Sequence, residues 1–292
     1  MQVSGKKFHL FALLVVLIPF LAVKLAHSIS KDSVITPQEI GQGGIGLLKV
    51  SDNNADNLEI LWNERNISLI PGVDNNTHFA FIGVDLTLKP GRYKFKKTNG
   101  VYTETKIIHV YKKDYGIRRL KIPKSMEALD KKTLDRVRDE SRRIQRLFFE
   151  SDKRPLWDGA WIRPVNGPVV SPFGRRSIIN GIERSPHSGV DLKASEGEPV
   201  RATNKGVVVL VEECFFSGLS VIIEHGGGIQ SMYFHLSTAL IDIGQIVKKG
   251  DIIGLSGSSG RVTGPHLHFG VRLDGARVNP IQLIDLSREI GG

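Results

Sequence analysis

Apolar and polar side chains alternate with a period of two along most of this chain, which predicts short strands rather than helices. Before residue 112 such stretches fall at 43–50, 58–62, 67–70, 78–82, 91–95 and 105–111, separated by turn chemistry such as Lys89-Pro90-Gly91 and Asn99-Gly100. The spacing predicts a small Ig-like β-sandwich over 33–112. His78 and His109 stand alone within it and read as structural or surface residues. Between 113 and 158 the period changes: Leu134, Val137, Ile144 and Phe148 recur at helical spacing among Lys, Arg, Asp and Glu. That pattern predicts an amphipathic linker helix lying against a domain surface. From 159 to 292 strands return at 207–211, 219–224, 229–235 and 245–254, with no long helical period among them. This half is therefore expected to be an all-β antiparallel sandwich or open barrel, and the fold class mostly β.

The first 28 residues differ from everything after them. A positive start with Lys6 and Lys7 precedes an apolar run at 10–23, and Ala26-His27-Ser28 supplies small residues near its end. The run is shorter than the roughly 20 residues of a spanning helix, which favours a cleaved export signal; an uncleaved N-terminal anchor in the inner membrane is the alternative. Either places the remainder outside the cytoplasm, in the periplasm or cell envelope.

The 292 residues suffice for two domains, with 40% hydrophobic and 24% charged residues. The formal charge is +10, of which three lysines before residue 29 supply +3 and the remaining 37 basic and 30 acidic residues supply +7. Such a balance draws polyanions. No arginine–aromatic repeat or nucleic-acid motif accompanies it, so nucleic acid is excluded as a partner in favour of anionic lipid or an acidic wall polymer. Cys214 is the single cysteine, so no internal disulfide forms, and its neighbours Phe215 and Phe216 suggest a packed or loop thiol.

Five residues share the polar phase of three separate strand-like segments. His187 and Asp191 stand four apart, with Val190 and Leu192 on the opposite phase. His266 and His268 share one face, and Leu267, Phe269 and Val271 the other. In 231–236, Tyr233 and His235 are expected to point away from Met232, Phe234 and Leu236. Each segment presents imidazole or carboxylate to a cleft while anchoring in a core, and these are the groups a catalytic zinc ion takes as ligands. A lone His-x-His is usually surface chemistry; three such segments together shift the balance to a metal site. His225, beside Glu224, is assigned to a strand end. No His-Glu-x-x-His helix is present. Ser256-Gly257-Ser258-Ser259-Gly260 lacks the strand–turn–helix context of a serine nucleophile and reads as a flexible loop lining the cleft.

The segments His187-Ser188-Gly189-Val190-Asp191, Met232-Tyr233-Phe234-His235-Leu236 and Gly264-Pro265-His266-Leu267-His268-Phe269 resemble the three signatures of lysostaphin-type (LytM-like) zinc metalloendopeptidases, which cut peptide cross-bridges in peptidoglycan. The likeness runs from about 159 to 280; the region before it resembles, more loosely, the β-rich N-terminal module of one envelope subgroup. The resemblance implies one Zn²⁺ held by His187, Asp191 and His268, with His235 and His266 assisting catalysis. It implies peptidoglycan peptides as substrate and names no protein partner. Which of the two histidines is the general base stays open at this stage. A non-catalytic envelope scaffold that activates a cell-wall amidase is the rival reading. A third is an enzyme kept latent by the N-terminal module or by the loop at 175–186, described here as long and glycine-poor. Arg175, Arg176 and Arg184 in that loop are either a solvated basic patch or a grip for peptide carboxylates. Gly189, Gly264 and Gly270 are expected where backbone or substrate approaches closely.

Overall fold

The computed structural model describes residues 33–51, 55–72, 76–121, 129–149 and 154–290; the expected export signal or anchor at 1–28 lies outside them. Two sheets build the N-terminal module. One holds Ser33–Thr36, Ile45–Ser51, Thr77–Gly83 and Ile70–Pro71, the other Glu39–Gly41, Thr103–Tyr111, Gly91–Thr98, Glu59–Trp62 and Arg65–Ile67. Leu48, Val50, Ala80 and Ile82 of the first sheet pack on Ile60, Trp62, Phe95 and Ile108 of the second. The first sheet is apolar on its other face as well: Ile45, Leu47, Phe79 and Phe81 join the core of the C-terminal half, among them Trp157, Trp161 and Leu273. The nearly continuous apolar run of Ile45–Ser51 follows from this, since a strand covered on both sides has no polar phase to show.

Further side-chain ties cross the same seam. Asp85 takes a bidentate pair from Arg277, at 2.7 and 3.0 Å. The Gln282 amide holds both main-chain groups of Ile45, and the Arg65 guanidinium donates to the carbonyl of Asp274. The arginine pair holds the Asp85 carboxyl far below the usual carboxylate range, against the opposing effect of its burial.

The C-terminal half is a ten-stranded sheet whose main path runs Val169–Ser171, Gly189–Leu192, Leu267–Leu273, Ile229–Ala239, Gly218–Glu224, Gly206–Cys214 and Ile246–Val247, all pairs antiparallel. Val190, Leu192, Leu267, Phe269, Val271 and Tyr233 line its inner face. The expected linker helix is Lys131–Leu147, capped by Asp130, whose carboxylate accepts from Thr133 N at 2.7 Å. Ile144, Leu147 and Phe148 cover Leu210, Ile222 and Met232 on the opposite sheet face, and the buried Glu140 pins the helix through Phe215 N at 3.0 Å.

Three expectations change. The segment at 175–186 is not a long loop but a hairpin, Arg176–Ile179 with Ile182–Glu183, turning on Asn180-Gly181, both at positive φ. Asn-Gly is the residue pair that such a tight turn demands, and it overrides the otherwise glycine-poor composition. Ile117–Leu120, expected in the linker, pairs in parallel with this hairpin and so ties the linker to the C-terminal half. Lastly, that half is not all β: Pro280–Ser287 is a helix, with Asn279 capping Ile281 N at 3.0 Å and Pro280 at its first turn.

Candidate metal centre

Two adjacent strands carry most of the cluster. Gly189–Leu192 and Leu267–Leu273 pair with Asp191 opposite His268 and Gly189 opposite Gly270, so all four positions share the face away from Val190 and Phe269. His187 precedes the first strand. Its Nε2 lies 3.0 Å from Asp191 Oδ1 and 3.0 Å from His268 Nδ1, and these two lie 3.0 Å from each other. Three atoms bearing lone pairs are thus directed at one point, an arrangement that attracts a shared proton or a cation. Among the described residues this is the one group of metal-ligand type that converges in this way.

The imidazoles are oriented by main-chain carbonyls. His187 Nδ1 donates to Pro172 O at 3.0 Å, His235 Nδ1 to Ser259 O at 3.0 Å and His266 Nδ1 to Gly264 O at 2.9 Å. A carbonyl only accepts, so each of these ring nitrogens carries a proton, and in the neutral ring each Nε2 keeps its lone pair. His266 Nε2 faces the centre, 3.8 Å from Asp191 Oδ1, and the His235 ring is 4.9 Å from His266. Phe234 stacks on His268 at 5.3 Å and 6°.

Burial and charge set the ionisation. Burial would raise the Asp191 carboxyl, but hydrogen bonds from His187 and His268 outweigh it and hold the group far below the usual range. Burial likewise opposes a charged His187, yet the Asp191 carboxylate lifts it above its ordinary value. Desolvation lowers His268 and holds His235 down at about 4, so His235 is neutral near pH 7.

His235 reaches the cluster by a route the alternation does not give. Tyr233 is fully buried in the inner core, and a regular strand would send His235 there too. Met232 and Phe234 lie instead on the outer face, with His268. The pairing with Gly218–Glu224 slips by one residue between Tyr233 and Leu236, and His235 itself adopts φ +66, turning its ring out to His266 while Leu236 re-enters the core. The expectation that Phe234 points away from the site is therefore reversed. His266 also differs: it lies just before its strand, bridged to Gly257.

Of the three glycines, a Cβ on Gly189 would lie 2.6 Å from His268 Nε2 and one on Gly270 2.8 Å from Met232 Cε, as close approach requires. Gly264 meets nothing within 4 Å, so packing does not require glycine there. The serine loop is pinned rather than free. Ser259 Oγ accepts from Leu219 N at 2.9 Å and donates to Leu236 O at 2.7 Å, which fixes the carbonyl that orients His235. Sequence reasoning missed Pro172, Ser259 and Gly264 in this role, because a backbone carbonyl leaves no mark on residue type. Cys214 is buried as expected, and burial pushes its thiol up.

The centre fits zinc by its donor set. Two imidazole nitrogens and a carboxylate oxygen spaced 3.0 Å apart can all touch one ion at the ~2.0–2.2 Å typical of such ligands. The orienting hydrogen bond on His187 is the usual companion of a metal-bound imidazole.

Comparison with known proteins agrees. Residues 185–280 match the model of Peptidase family M23. The chain is 43% identical over 115 residues to Peptidoglycan DD-endopeptidase ShyA of Vibrio cholerae, covering 39% of this chain and 27% of that protein. It is 38% identical over 117 residues to Murein hydrolase activator EnvC of Escherichia coli, covering 40% and 27%. The chain thus spans about a quarter of the length of the curated relatives it matches. A crystal structure assigned to peptidase M23 from Pseudomonas aeruginosa superposes with a TM-score of 0.66 at 27% identity, over 83% of this chain and 94% of the other, so the likeness takes in the N-terminal module. The likeness to Peptidase family M23 thus lies in the C-terminal domain, over residues 185–280.

Proposed function

We propose that this protein is an exported, zinc-dependent endopeptidase that hydrolyses peptide bonds in the stem or cross-link peptides of peptidoglycan during cell-wall remodelling. The carrying observation is the triangle of ligand atoms on His187, Asp191 and His268, with His266 and His235 beside it. Bound there, zinc would acidify a water molecule and polarise a peptide carbonyl. His187, Asp191 and His268 would hold the ion and leave a fourth position to solvent or substrate.

The two remaining histidines both offer Nε2 as an acceptor, since Nδ1 of each is committed to a carbonyl. Neither can donate to an oxyanion while neutral. One of them must first take the proton of the attacking water, and His266 is the choice because its Nε2 faces Asp191 Oδ1 at 3.8 Å. The same nitrogen then returns the proton to the leaving amine. His235 serves as a second acceptor that keeps the water aligned, and burial keeps it neutral for that task. The boundaries taken for the architecture are 1–28 for the export segment, 33–112 for the sandwich, 113–158 for the linker and 159–292 for the peptidase.

The relative that is a DD-endopeptidase supports the substrate class. Purified cross-linked muropeptides, incubated with and without a chelator, test the reading: new products that disappear with chelator are expected, and no metal-dependent product would refute it. The relative that is a hydrolase activator favours a second reading, a scaffold that activates an amidase. Elemental analysis separates the two, since the enzyme should purify with about one zinc per chain and a scaffold without.

A further inference from the structure

The junction between the N-terminal module and the linker places two lysines, Lys112 and Lys113, in a cavity that Pro186, the neighbour of His187, also lines. The module's last strand ends at Tyr111, and the chain continues through Lys112 and Lys113 to Tyr115. Tyr115 is fixed in three ways: its hydroxyl donates to Gln42 O at 2.7 Å, its ring meets Phe173 edge-on at 5.5 Å, and its neighbour Gly116 accepts from Arg176 N at 3.1 Å. Beyond it, Ile117–Leu120 pairs with the Arg176–Ile179 strand. Lys112 and Lys113 are therefore held beside Arg176 by backbone, whatever their own side chains do.

These three cations line a cavity of about 360 Å³ together with Gly174 and Pro186. Pro186 directly precedes His187, and Gly174 N donates to His187 O at 2.8 Å, so the cavity begins one residue from a metal-ligand position. A single acid, Glu183, lines it, 3.3 Å from Arg176 and exposed. Glu183 pairs with Arg176 and not with either lysine, and Lys113 Nζ lies 5.2 Å from the Tyr115 ring centre. An exposed pair like Arg176–Glu183 is weak and readily exchanged for another carboxylate.

We infer that the seam formed by Lys112, Lys113 and Arg176 is an anionic subsite, which binds a free carboxylate of the peptide chain whose scissile bond lies at the metal centre. The inference rests on the peptidase reading and adds to it: the junction of the N-terminal module and the linker, beyond supporting the fold, would select among peptides by charge. A carboxylate held between two ammonium groups and a guanidinium is a charge-assisted contact, and its position on the rim makes it act on binding rather than on turnover.

The experiment compares a short cross-bridge peptide with free carboxylates and its fully amidated twin. Affinities are measured by calorimetry on the full chain carrying His266→Ala, so that binding is read without turnover, with and without Lys112→Gln and Lys113→Gln together. The free-acid peptide is expected to bind about tenfold more weakly to the lysine-less chain, and the amidated peptide equally to both. Equal weakening of the two peptides, or no weakening of either, overturns the inference. With His266 intact, KM for the free-acid peptide should rise by a similar factor with kcat unchanged. The peptidase reading fails by a separate result, absence of muropeptide cleavage by the unsubstituted chain.

Discussion

The long strand Ile229–Ala239 serves two groups of buried histidines, and they have opposite fates. Near its start, His225 is saturated: Nδ1 lies 2.7 Å from Lys205 O and Nε2 2.7 Å from Ser231 Oγ, which in turn meets the Tyr233 hydroxyl at 2.9 Å. The Tyr233 oxygen accepts from Thr203 N at 2.9 Å, and the Trp161 ring closes over His225 at 4.7 Å. No lone pair is left for a ligand. Past its middle, His235 and its neighbours spend only Nδ1 on carbonyls and keep Nε2 facing a cleft. Burial is similar in kind, and what separates a structural histidine from a reactive one is whether its second nitrogen has a partner.

The largest effect expected of this contrast comes from removing a ligand. His268→Ala takes away one of three donors and should abolish bound zinc and muropeptide cleavage together, down to the level of the chelated protein, while circular dichroism shows the sheet retained. His225→Ala should do the reverse, keeping about one zinc per chain while unfolding at lower denaturant. Zinc retained in the first variant or lost in the second would break the comparison.

Within the reactive group the effect should split by role. His266→Ala is expected to keep zinc and to lower kcat by about 10²–10⁴, the usual worth of a positioned proton acceptor. His235→Ala should keep zinc and cost less, because a neutral second acceptor aligns the water without carrying its proton. Steady-state kinetics beside elemental analysis checks both; a larger loss for His235→Ala would exchange the two roles.

How far the sequence anticipated this contrast depends on what period-two alternation can encode. Asp191, His268, Gly189 and Gly270 fall where alternation puts them, because their strands are regular and pair without slippage. His235 was found for a reason the structure does not keep: its phase is reset by a bulge between Tyr233 and Leu236 and by a left-handed backbone, and neither shows in a pattern of apolar positions. His225 was rightly set apart from the site, yet its network with Ser231, Tyr233 and Thr203 needs pairings that only the fold supplies. Two misses were legible. Asn180-Gly181 announces a hairpin, and Asn279-Pro280 before an apolar run announces a helix. The seam through Asp85, Arg277, Gln282 and Ile45 was not legible, since its partners lie 192 and 237 residues apart.

Acid should destabilise the saturated end. Burial holds His225 down at about 4, below the ~6.5 of an exposed imidazole. Above pH 6.5 neither folded nor unfolded chain carries this proton. Between 6.5 and 4 the unfolded chain binds it and the folded chain does not, so stability falls as pH drops through that window, by on the order of 3 kcal/mol at its lower end. His225→Gln removes the group and should flatten the dependence of unfolding free energy on pH by up to one proton's slope. Urea unfolding at several pH values reads this directly. An unchanged slope would mean that His225 titrates alike in both states and is not sealed.

The smallest effect isolates one oxygen. Ser231 Oγ joins His225 Nε2 to the Tyr233 hydroxyl, at 2.7 and 2.9 Å, and all three groups are buried. In Ser231→Ala the methyl fills nearly the same volume, so no large cavity opens and the cost is that of the unsatisfied partners, about 1–2 kcal/mol. The Tyr233 oxygen still accepts from Thr203 N, which limits the loss on that side. His225 loses more, because its Nε2 has no second neighbour to turn to. The strand runs on from Ser231 to His235 four residues later, yet the bulge between Tyr233 and Leu236 and the Ser259 carbonyl fix His235 independently of this network. Zinc content and kcat should therefore equal those of the unsubstituted chain while the urea midpoint falls. A drop in kcat at full zinc occupancy would show that the two ends of the strand are coupled, and that the sealed network positions the reactive one.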